Sequence, residues 1–176
     1  IIAEIGVNHE GSMELAKRLI LEAKNGGAHA AKFQSYKASK IASKNSPAYW
    51  DQSKEPTDSQ FKLFQKYDGF GEPEYRELAA YCEEVGIDFM STPFDLDAVD
   101  FLDPLMPAYK VASADITNIP LIRKCASMGK PLIMSTGAAT LPEIEFALQT
   151  ARDAGAKDIS LLHCVLNYPT PEENAQ

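Results

Sequence analysis

Short apolar runs that break off into small and polar residues recur along this chain, and amphipathic stretches stand between them. The first run, 1–5, is apolar except for Glu4, and Gly6 ends it ahead of Asn8-His9-Glu10-Gly11. Ser12 is placed to cap a helix in which Met13, Ala16, Leu19, Ile20 and Ala23 share one face until Gly26-Gly27. A second strand is predicted over 28–34, closing on Lys32-Phe33-Gln34, and completes a β-α-β unit. From 35 to about 71 the pattern loosens around Pro47, Trp50 and Pro56, with a short helix over 59–67. A connection of that length reads as a lid or binding loop.

Periodicity then resumes. Pro73 opens a helix whose Tyr75, Leu78, Ala79, Cys82 and Val85 lie on one face, and Gly86 stops it. Further strands are predicted over 87–90, 108–111, 131–134 and 159–163, with helices over about 95–102, 119–128 and 141–154. This alternation predicts an α/β fold, a parallel sheet wrapped by helices. No G-x-G-x-x-G follows any strand, and polar residues stand after nearly every strand rather than at one switch point. That spread favours a TIM (β/α)8 barrel over an open doubly wound sheet. Since a barrel needs eight strands, 1–176 reads as a single partial TIM-barrel domain, truncated after about six strands.

Charge and cysteine content narrow the class. The formal net charge is −8 with lysines and arginines scattered, so nucleic acid is not an expected partner. No apolar run is long enough to span a bilayer, and no basic stretch precedes an apolar signal segment, so no membrane association is expected either. Cys82, Cys125 and Cys164 form no C-x-x-C pair, and their odd count fits a reducing cytoplasm. An acidic protein that handles an anion must gather a few lysines and N–H groups in one cleft.

Those groups stand at the strand ends: Glu4, Asn8 and His9, then Lys32 and Gln34, Ser91 and Thr92, Lys110, Ser113 and Asp115, Ser135 and Thr136, and His163, Asn167 and Tyr168. In a closing barrel they would converge on one mouth. Two lysines with several hydroxyls suit a phosphate or carboxylate, and Glu4, Asp115 and His163 could carry protons or orient a metal-bound water. Ser12, Asp95 and Thr140 read as helix caps instead, and His163 taken alone is more often a core histidine than a ligand. Lys110 at a strand end also admits a Schiff-base aldolase, and bare edge strands admit a non-catalytic binding fragment.

Six motifs in order carry a more specific signal: Ala3-Glu-Ile-Gly-Val-Asn-His-Glu-Gly11, Lys32-Phe-Gln34, Ser91-Thr-Pro-Phe94, Tyr109-Lys-Val-Ala-Ser113, Ser135-Thr-Gly137 and Leu162-His-Cys-Val-Leu-Asn-Tyr-Pro-Thr-Pro171. Together they resemble the sialic acid synthase family, which includes N-acetylneuraminate, legionaminate and pseudaminate synthases. The resemblance implies a cytoplasmic TIM-barrel transferase of carbohydrate biosynthesis. Such an enzyme condenses phosphoenolpyruvate with an N-acetylated amino sugar such as N-acetylmannosamine, using a divalent metal, typically manganese (Mn2+). By position, Lys32, Thr92, Lys110, Ser113 and Ser135 match its phosphoenolpyruvate-binding residues. Gln34, Asn167 and Tyr168 match sugar-side positions, and Glu4 and Asp115 the catalytic acids.

Two positions depart from the family pattern. Asp115 stands where members carry Glu, and Leu166 where some carry a polar residue. The resemblance also implies metal-binding histidines after the sixth strand, a C-terminal antifreeze-like domain and a homodimer, with the ligands and the domain expected beyond residue 176. His163 is therefore only a weak metal candidate, and little turnover is expected of 1–176 alone.

Overall fold

The computed structural model describes every residue except Tyr168, Pro169 and Gln176. The chain divides into two compact units, 1–106 and 107–176, each with its own parallel sheet.

The first unit runs β1 (Ile2–Gly6), α1 (Met13–Asn25), β2 (Ala30–Ser35), α2 (Ala38–Ile41), α3 (Gln60–Tyr67), α4 (Glu72–Val85), β3 (Asp88–Pro93) and α5 (Leu96–Leu102), with a 3-10 turn at Asp103–Leu105. Its sheet has the order β1-β2-β3, with Glu4 opposite Lys32 and Gln34 opposite Thr92. Because side chains alternate along a strand, these four fall on one face. The other face presents Ala31, Phe33 and Phe89 to the helices. Ile20 of α1 and Leu78 of α4 are fully buried, and each contributes about 1.5–3 kcal/mol.

Local sequence fixes where these elements begin and end. Ser12 Oγ accepts from the Leu15 amide at 3.2 Å and starts α1, and Asp95 Oδ1 accepts from Ala98 at 3.0 Å and starts α5. Gly86, at φ 72°, ends α4 in the left-handed conformation that an L residue resists. The loose connection after β2 is tied down: Lys37 Nζ donates to the carbonyls of Asp68 and Phe70 at 2.6 and 3.0 Å, and Asp68 Oδ2 accepts from the Ala38 amide at 2.9 Å.

The second unit runs β4 (Tyr109–Val111), a 3-10 turn (Ser113–Asp115), α6 (Ile119–Ser127), β5 (Leu132–Ser135), α7 (Leu141–Asp153) and β6 (Ile159–Leu162), then a 3-10 turn at Glu172–Asn174. Its parallel order is β4-β5-β6, with Lys110 opposite Ile133 and Ser135 opposite Leu162. Tyr109, Val111, Leu132 and Met134 are completely buried, as are Leu121, Ile122, Ala147 and Ala151 on α6 and α7, which pack on each other. Glu143 reaches back to Thr140 at the start of α7, its Oε2 accepting from the Thr140 amide and hydroxyl at 2.7 and 2.8 Å.

The strands extend differently from their predicted limits. β3 continues through Ser91, Thr92 and Pro93, and β5 through Ser135, so these polar residues belong to the strands rather than to the loops beyond. The parallel ladder pays no attention to side-chain polarity, and Ser35 and Ser91 satisfy each other across it at 2.7 Å. β6 ends at Leu162, one residue short of His163. No helix among the described residues is long and apolar enough to cross a membrane.

Candidate active site

In the first unit Lys32 organises the polar face of the sheet. It is almost buried, its Nζ forms an ion pair with Glu4 Oε2, and it donates to Thr92 Oγ1 at 3.4 Å. The Glu4 side chain is half exposed, so a buried ammonium is paired with a carboxylate that still reaches solvent. Gly6 leaves room for this cluster: a Cβ there would stand 3.3 Å from Glu4 Oε1 and 3.6 Å from Gln34 Nε2. Gln34 is held through its backbone, whose carbonyl accepts from Tyr75 Oη at 2.6 Å.

His9 closes the loop after β1. It is buried, stacks on Phe70 at 4.2 Å between ring centroids, and accepts the Gly11 amide at Nδ1 at 3.1 Å. In the neutral ring Nε2 therefore carries the proton, and it finds no acceptor among the described residues. Burial pushes the His9 pKa below its ordinary value.

In the second unit Lys110 Nζ donates to Ser135 Oγ at 2.5 Å and to the Val111 carbonyl at 3.0 Å. With its oxygen engaged by an ammonium, Ser135 has its own O–H left to donate, which is what an anionic oxygen requires. Ser113 is prepared the same way, its Oγ accepting the Gly137 amide at 3.1 Å. Asp115 is half-buried and accepts from Asn118 Nδ2 at 3.0 Å. Loss of water raises its pKa, and the Asn118 hydrogen bond only partly offsets that.

The described residues thus group Glu4, Lys32, Gln34 and Thr92 in one unit and Lys110, Ser113, Asp115 and Ser135 in the other. Asn167 is exposed, and Tyr168 lies outside the described residues. His163 is exposed and lines a groove of about 760 Å³ with Cys164, Leu161 and Leu166. Among the described residues no group of three or more His, Cys, Asp or Glu could hold a metal ion. From sequence, Asn118 has no assigned role, and Gly6 and Gly137 are marked only as a strand end and as the close of a motif. Only Asn118 carried a usable signal, standing just ahead of Ile119-Pro120 as a helix cap would, and its Oδ1 does accept from the Leu121 amide at 3.4 Å.

Six parallel strands alternating with helices give the chain an α/β fold of the TIM-barrel type. The NeuB family matches residues 19–176, and the chain belongs to this family of sialic acid synthases. It is 43% identical to N,N'-diacetyllegionaminic acid synthase of Campylobacter jejuni, over 97% of this chain and 52% of that protein. It is 38% identical to N-acetylneuraminate-9-phosphate synthase of Drosophila melanogaster, over 97% of this chain and 46% of that protein. Among solved structures, the N-acetylneuraminic acid synthetase of Leptospira borgpetersenii superposes with a TM-score of 0.86 at 35% identity, covering 99% of this chain and 56% of that one. The chain spans about half the length of the relatives it matches.

Proposed function

We propose that this chain carries the phosphoenolpyruvate-binding strand ends of an enzyme that condenses phosphoenolpyruvate with an N-acetylated amino sugar. The product is a nine-carbon keto acid of the sialic acid type, and phosphate is released. The observation that carries the reading is the pair of lysine–hydroxyl contacts, Lys32 with Thr92 and Lys110 with Ser135, in which lysines inside β2 and β4 meet hydroxyls at or next to the C-terminal ends of β3 and β5. Phosphoenolpyruvate presents only acceptors, on a phosphate and a carboxylate, and such pairs offer it only donors. The related synthases named above make sugar acids of this kind.

The chemistry assigns each group a task. C3 of phosphoenolpyruvate forms a bond to the aldehyde carbon of the open-chain sugar, and the aldehyde oxygen gains a proton. Water adds at C2, and the C2–O bond to phosphate then breaks as the ketone forms. Asp115, whose carboxyl is held up by burial, is suited to keep a proton for the aldehyde oxygen. Glu4, half exposed and ion-paired with Lys32, is suited to take the proton from water. Free thiols at all three cysteines fit a cytoplasmic setting, where phosphoenolpyruvate is made.

The test is a substrate panel of N-acetylated amino sugars, N-acetylmannosamine first, given with phosphoenolpyruvate to the protein at its full natural length. Phosphate release that depends on one sugar supports the reading. A borohydride-stable adduct of pyruvate on Lys110, without phosphate release, would instead establish a Schiff-base aldolase.

A further inference from the structure

Gly137, two residues beyond the end of β5, is buried, and its φ lies outside the left-handed region, so conformational freedom is not what requires a glycine there. Space is. A Cβ at this position would stand 2.9 Å from Ser113 Oγ and 3.3 Å from both Cys164 Cβ and Leu166 Cδ2. The first of these distances is closer than a methyl group tolerates, and the side chain able to give way is Ser113, by rotating its hydroxyl off. Rotation would break the hydrogen bond that Ser113 Oγ accepts from the Gly137 amide at 3.1 Å.

The loop cannot easily retreat instead. Thr136 is fastened to β6, its amide and hydroxyl both donating to the Leu162 carbonyl at 3.1 and 3.0 Å. On the other side Ala138 already sits at φ 56°, a left-handed conformation that alanine adopts only when its surroundings impose it. Gly137 is thus held between two constrained neighbours, with its N–H fixed on Ser113.

We infer that Gly137 is a positioning residue for ligand binding: its amide and its missing side chain together hold Ser113 so that the hydroxyl proton is offered to an anionic oxygen. A hydroxyl free to rotate presents a lone pair as readily as a proton, and a lone pair repels an oxyanion. Gly137 touches no substrate and acts only through Ser113. The inference rests on the proposed synthase function and on Ser113 being a phosphoenolpyruvate contact, as its place in the family motif implies.

The test titrates phosphoenolpyruvate into the protein at its full natural length, as wild type, Ser113→Ala, Gly137→Ala and the double variant. One hydrogen bond to an anion corresponds to roughly a tenfold change in Kd. Each single variant is expected to bind about tenfold more weakly, and the double no more weakly than either, because both remove the same donor. KM for phosphoenolpyruvate is expected to rise while kcat holds. Wild-type affinity in Gly137→Ala, or losses that multiply in the double variant, would overturn the inference alone. Failure of the wild type to bind phosphoenolpyruvate would overturn the synthase reading, and this inference with it.

Should Gly137→Ala fail to fold, amide hydrogen exchange at Gly137 decides without touching that residue. Exchange is expected to quicken in Ser113→Ala and to slow when the wild type binds phosphoenolpyruvate. An exchange rate indifferent to both would overturn the inference.

Discussion

Replacing Lys110 with methionine keeps the apolar stem that the protein buries and removes only the ammonium. Nζ donates to Ser135 Oγ at 2.5 Å and to the Val111 carbonyl at 3.0 Å, inside a residue that is 8% exposed. A hydrogen bond between a charged donor and an anion is worth about 1.5–3 kcal/mol, which at 1.4 kcal/mol per decade is roughly 10- to 100-fold in Kd. Lys110→Met is therefore expected to weaken phosphoenolpyruvate binding by that factor. The isosteric swap should cost the fold less than about 1.5 kcal/mol. Calorimetric titration reads the first quantity and urea unfolding the second. Unchanged affinity in a folded variant would refute the placement of Lys110 at the anion. Loss of more than about 3 kcal/mol of stability would show that the ammonium serves the fold instead.

Three further outcomes follow from the same geometry. Because burial lowers the His9 pKa, its contribution to stability is full above about pH 6.5 and is lost as pH falls through its folded value, so urea midpoints should drop on acidification. His9→Phe, which keeps the stack on Phe70, should flatten that drop, and an unaltered slope would count against the assignment. Asp115 has the opposite sign: its raised pKa favours folding below the ordinary carboxylate range and loses that contribution as pH rises through the folded value, so Asp115→Asn should make stability less dependent on pH in that window. Ser12→Ala, which removes the acceptor for the Leu15 amide, should cost about 1 kcal/mol in denaturant melts while leaving phosphoenolpyruvate affinity as it was.

Much of this was legible in the sequence because a parallel strand buried on both faces has to announce its polar residues. Lys32 between Ala31 and Phe33, and Lys110 between Tyr109 and Val111, stand out against apolar flanks, and both prove nearly buried with partners. The capping roles of Ser12, Asp95 and Thr140 were equally readable, since a cap depends on residues within one turn. Contacts across strands were not. Ser35 with Ser91 depends on strand register, and Gly137 with Ser113 on where two loops meet, neither of which periodicity encodes. The bare edge expected of the sixth strand is also there: among the described residues β6 pairs with β5, and Leu161 and Leu162 are exposed at 44% and 41%.

The central claim is that phosphate leaves phosphoenolpyruvate by cleavage at carbon while a new carbon–carbon bond forms to an amino sugar. Phosphoenolpyruvate labelled with heavy oxygen at the bridge between C2 and phosphorus tests it directly in the protein at its full natural length. With N-acetylmannosamine or a related N-acetylated amino sugar present, the label should appear in the released phosphate. A label left in the keto acid, or phosphate that never forms with any such sugar, would contradict the account.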